Sequence, residues 1–109
     1  MARISTHVLD IELGRPAAGI PVELRRDGAL LSAACTNSDG RTDQPLLAAE
    51  QIDSGAYDLT FRSGEYLKGR AASPFYGDIT IHFYVSDSGG NYHVPLLLAA
   101  HGYSTYRGS

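Results

Sequence analysis

Polar and apolar side chains alternate with a period of two along most of this chain, and Gly-, Pro-, Asn- and Asp-rich clusters break the alternation about every ten residues. That rhythm suits strands with one face on a core and is incompatible with a mainly helical fold. Ile4, Thr6 and Val8 alternate with Ser5, His7 and Leu9, so a first strand is expected, ending near Leu13 where LGRPAAGIP brings two Gly and two Pro. A second strand begins near Val22. Arg25-Arg26-Asp27-Gly28 then reads as a hairpin turn into a returning strand over Leu30 to Thr36. Asn37-Ser38-Asp39-Gly40 is a further turn that delivers Arg41 straight after a permissive glycine. Gly55 to Arg62 places Tyr57, Leu59 and Phe61 on one face. Asp78 to Val85 does the same for Ile79, Ile81, Phe83 and Val85. A turn at Asp87-Ser88-Gly89-Gly90 leads to a long apolar strand over Asn91 to Leu98, and Tyr103 to Arg107 forms the last one. Ser63 is expected to cap a short helix reaching Arg70. Leu47 to Gln51 has helical propensity but is too short to hold a helix unaided. The sum is an all-β chain of about seven or eight short strands in an antiparallel sandwich, with one short helix.

At 109 residues the chain is expected to form a single domain, 1–109, around one core. A chain this short leaves about a third of its unfolded surface exposed, so self-association would add burial. The net charge of -3 and the scattered Arg25, Arg26, Lys68, Arg70 and Arg107 give no broad positive field, which argues against nucleic acid as a partner. The opening MARISTHVLDIELG lacks a basic start followed by a long apolar stretch, so no secretory signal is expected. The apolar run around Val94 to Ala100 is far short of the ~20 residues of a membrane span. A cytoplasmic location is expected. Cys35, the lone cysteine, suits a reducing compartment and is expected to be a small core residue.

Three features exceed what a core and its turns require. They are His7 within the first strand, His93 within an apolar strand, and the closing Tyr106-Arg107-Gly108-Ser109. Histidine, with a reference pKa near 6.5, can exchange protons at neutral pH. Singly, such residues are ordinary strand histidines. The segments THVLD at 6–10, GRPA at 14–17, TNSDGRT at 36–42, SPFYGD at 73–78, YHVPLLL at 92–98 and HGYSTYRGS at 101–109 run in order along the whole chain. Together they resemble the 5-hydroxyisourate hydrolases of the transthyretin-like family, and YRGS is their most specific element. Ala99-Ala100-His101 departs from the Ser-Pro pair often found there.

The resemblance implies a transthyretin-like sandwich of two four-stranded sheets, assembled as a homotetramer with active sites in the cleft between dimers. It also implies 5-hydroxyisourate as the substrate and His7, Arg41 and His93 as catalytic residues. Tyr106 would bind substrate together with His7 and Arg41, helped by Ser104, Arg107, Gly108 and Ser109. The reaction adds water to a cyclic amide carbonyl. Either His7 or His93 can take the water's proton, and Arg41 can stabilise the oxyanion with a fixed fork of donors.

Ser104 lacks the G-x-S-x-G setting of a serine nucleophile. A zinc site would need a third ligand, available only as His82 or His101, so no metal and no cofactor are expected. Two other classes compete. A transthyretin-like carrier of small aromatic ligands would dispense with the paired histidines and YRGS. An adhesive immunoglobulin-type domain would be a monomer, and its Cys…Trp…Cys pattern is absent.

Overall fold

The computed structural model describes residues Met1–Ser109. Its strands are β1 (Ala2–Ser5), β2 (Val8–Asp10), β3 (Arg15–Pro16), β4 (Pro21–Arg26), β5 (Ala29–Cys35), β6 (Leu47–Ala49), β7 (Gly55–Phe61), β8 (Ile79–Val85), β9 (Asn91–His93), β10 (Leu96–Leu98) and β11 (Tyr103–Thr105). The single helix, α1, covers Gly64–Arg70.

One layer is the antiparallel sheet β5-β4-β7-β8. Its register puts Val22 opposite Phe61, Leu24 opposite Leu59, and Leu59 opposite Ile81, so the apolar parity of three strands falls on one face. Asp27-Gly28 makes the predicted hairpin with both φ angles positive, 52° and 80°. The opposite layer is divided into two ribbons, β6-β1-β9 and β11-β10-β2-β3. Between the layers lie Ile4, Val8, Val22, Leu24, Tyr57, Leu59, Phe61, Leu96 and Leu98, all essentially solvent-free. Each contributes about 1.5–3 kcal/mol of burial.

Several expectations are corrected. The second layer is two ribbons because Pro95 has no N–H to give and interrupts the expected strand over Asn91 to Leu98. Hydrogen bonds still cross the gap, from Val94 N to Ser5 O and from Leu96 N to His7 O, both 2.9 Å. The sandwich is also not wholly antiparallel, since β1 runs parallel to β9 and β2 parallel to β10. The first strand stops at Asp10 rather than Leu13, because the buried Asp10 carboxylate accepts the N–H groups of Glu12 and Leu13 and turns the chain. Leu47–Ala49 is a strand, paired antiparallel to β1. Ser63 does not cap α1. Its hydroxyl donates to Gly77 O, and Asp78 Oδ1 accepts the Gly64 N–H in its place. Cys35 is exposed because β5 is an edge strand with little packed against it. The Ala99–Gly102 turn is closed from Ala99 N to Gly102 O, and Glu12 accepts the Ala100 N–H.

Candidate active site

The break between β1 and β2 brings His7 to an isolated antiparallel bridge with Arg41. His93, at the end of β9, makes a second such bridge with Gly108. Ser5 and His93 are paired in the β1-β9 register. Four distant stretches of chain therefore meet around one ribbon end. They surround a cleft of about 560 Å³ lined by Arg3, Ser5, Arg41, Asn91, His93, Tyr106, Gly108 and Ser109.

The turn that aims Arg41 is organised by Asn37. Its Oδ1 accepts from Asp39 N and Arg41 N, its backbone N–H donates to Arg41 O, and its Nδ2 donates to Asp43. Gly40 is required twice over. Its φ is 75°, and a Cβ there would sit 2.3 Å from Val8 O and 3.3 Å from His7 Cδ2. Its own carbonyl accepts from Val8 N at 2.8 Å, which locks the turn onto the strand that carries His7.

The two histidines are tethered differently. His7 Nε2 lies 2.9 Å from the Asp39 carbonyl, which can only accept, so Nε2 carries a hydrogen and donates it. His93 Nδ1 lies 2.9 Å from the Ser5 hydroxyl. Burial first, then the positive charges of Arg41 and His7, hold the His93 imidazole below its usual range, so it is neutral near pH 7. A Cβ on Gly108 would come 2.5 Å from His93 Cδ2, so only glycine lets this backbone close over the ring.

Electrostatics distinguish the cleft from the rest of an acidic chain. Arg25, Arg26, Arg62, Lys68 and Arg70 all have carboxylate partners, whereas Arg3, Arg15, Arg41 and Arg107 form no ion pair, and two of these four, Arg3 and Arg41, line the cleft. No Asp or Glu side chain lines the cleft. Two free guanidinium groups beside a neutral imidazole and a phenol suit an oxygen-rich or anionic ligand.

Of the residues expected from the sequence, Arg41, His93, Tyr106, Gly108 and Ser109 line the cleft. His7 stands behind it, joined to Arg41. Ser104 lies on β11 opposite Leu97 and outside the lining, because the chain turns after Thr105 and the alternation that related it to Tyr106 no longer holds. Arg107 stacks its guanidinium 4.4 Å above the Tyr92 ring and donates to Asn91 O. Arg3, Ser5 and Asn91 were missed. Strand parity was the available signal, since Arg3 and Ser5 share a face with His7, and Asn91 shares one with His93.

A model of the HIUase/Transthyretin family matches residues 4–108. The chain belongs to that family. A 5-hydroxyisourate hydrolase of Deinococcus radiodurans is 46% identical over 97% of this chain and 95% of its own length. Among solved structures, the 5-hydroxyisourate hydrolase of Klebsiella pneumoniae superposes with a TM-score of 0.88 at 38% identity, each chain covered completely. Sea bream transthyretin in complex with thyroxine reaches a TM-score of 0.85 at 22% identity, over 96% of this chain and 93% of that one, and so shares the fold. The transthyretin-like all-β architecture expected from the sequence is therefore observed.

Proposed function

We propose that this chain is a 5-hydroxyisourate hydrolase. In the reaction a water oxygen bonds to a cyclic amide carbonyl carbon and the ring C–N bond breaks. The proton removed from water passes to the departing nitrogen, giving 2-oxo-4-hydroxy-4-carboxy-5-ureidoimidazoline. His93, neutral and facing the cleft, accepts the proton, typically a gain of about 10² to 10⁴ in rate. Arg41 stabilises the charge that develops on the carbonyl oxygen. Tyr106, Gly108 and Ser109 line the same cleft and orient the ring. His7 supports Arg41 through their shared bridge.

The observation that carries this reading is the convergence of an unpaired Arg41, a neutral His93 and Tyr106 on one cleft free of carboxylate side chains. A carrier would have no use for a proton acceptor there. The test is ultraviolet decay of freshly generated 5-hydroxyisourate at neutral pH. Strong acceleration over the buffer rate is expected, and none would leave the carrier reading in place.

The working form in this reading is a homotetramer of single-domain subunits, in which a neighbouring copy covers the exposed Tyr106 and closes the cleft. An exposed free thiol at Cys35 suits a reducing, cytoplasmic setting.

A further inference from the structure

Ser5 has no part in the reaction as described, yet its hydroxyl makes one contact, with Nδ1 of His93. We propose that Ser5 is a positioning residue that fixes the ring flip and tautomer of His93, so that Nε2 is the nitrogen exchanging protons in the cleft. This deepens the hydrolase reading and rests on it.

The geometry around the ring supports the assignment from two sides. Ser5 and His93 are adjacent partners in the β1-β9 ladder, which Val94 N closes onto Ser5 O at 2.9 Å, so the main chain that carries the hydroxyl is fixed beside the ring. On the other side of the ring, Gly108 packs so tightly against Cδ2 that a methyl group there would reach 2.5 Å. Rotating the ring by half a turn would exchange Nδ1 with Cδ2 and Nε2 with Cε1. A carbon would then face the serine, the hydrogen bond would be lost, and Cε1 would occupy the place of the reactive nitrogen.

For Nε2 to take the proton, the neutral ring must carry its hydrogen on Nδ1, and Nδ1–H then donates to the Ser5 oxygen. The same donation serves the charged ring, so the orientation survives a full proton cycle. A carboxylate in that place would favour the charged ring, whereas a neutral hydroxyl holds the tautomer without adding a charge. His7 is held the other way round, with Nε2–H donating to the Asp39 carbonyl.

The test compares Ser5→Ala and Ser5→Thr with the unaltered protein, using turnover of 5-hydroxyisourate and nitrogen-15 spectra of the His93 ring in assembled samples. In Ser5→Ala we expect kcat to fall about tenfold with KM within about threefold, as for one lost hydrogen bond. The two ring nitrogens should move toward tautomer-averaged shifts. Ser5→Thr should restore both. Unchanged ring shifts in Ser5→Ala, an unchanged kcat in active enzyme, or a rise confined to KM would each overturn the proposal. A rise in KM alone would make the hydroxyl a substrate contact instead. If the unaltered protein fails to turn over 5-hydroxyisourate while Ser5→Ala still shifts the ring nitrogens, the hydrolase reading falls and the positioning role stands.

Discussion

His93 is half-buried between like charges, and its acid-base behaviour follows from them. Burial disfavours the imidazolium, and Arg41 and His7 add repulsion, so the folded-state pKa lies below 6.5. Turnover should therefore hold near pH 7 and fall on acidification, as His93 takes a proton, with the acid limb lower than for an ordinary imidazole. Replacing Arg41 or His7 by Ala removes one repulsion and should move that acid limb upward in the residual kcat/KM profile. A limb that stays in place in both variants would remove His93 as the base. The same depressed pKa means that the fold prefers the neutral ring, so this contribution to stability is present above the unfolded-state pKa and is lost as pH falls through the folded one. Arg41→Ala should also lower kcat/KM by about 10² or more with the melting temperature preserved, because the guanidinium has no structural partner to lose. Near-normal kcat/KM in that variant would exclude Arg41 from charge stabilisation.

The element that matters most to the site is the Asn37–Arg41 turn. It is built from its own side-chain and backbone hydrogen bonds and docked by Gly40 onto Val8. Gly40→Ala would force both a left-handed conformation and an overlap with the Val8 carbonyl. A loss of at least about 2 kcal/mol is expected in urea unfolding. An unchanged midpoint would show that the turn can relax without cost. This turn was legible in Asn37-Ser38-Asp39-Gly40, since each residue type there has a local reason to turn. Leu47–Ala49 was not legible, because three residues carry too little periodicity and only pairing with β1 decides their state. The cap of α1 was misread for a similar reason. Asp78, distant in sequence, outcompetes the local serine for the Gly64 N–H.

At the level of the whole molecule, the cleft opens to solvent beside Tyr106, and Phe75, Tyr84 and Tyr106 are more than half exposed at 74%, 70% and 58%. Large aromatic groups left in water on a small chain mark surfaces that another copy can cover. Sedimentation is expected to show a tetramer. Deleting Tyr106–Ser109 should cut turnover by about 10² or more in samples where the tetramer persists, because the deletion removes one wall of the cleft. Full activity in the shortened tetramer would place the reaction elsewhere. The sequence by itself determined the strands with clear parity and the Asp-Gly hairpin, because alternation and turn chemistry act over a few neighbouring residues, while Arg41, His93 and Tyr106 entered as candidates through the family resemblance. Only the tertiary structure decided that β1 runs parallel to β9, that Ser5 meets His93, and that Ser104 lies apart from the cleft while Arg3 lines it. Those outcomes depend on which strands pair and where the chain bends after pairing. Burial of the whole core sets that pairing, and no local window of sequence contains it.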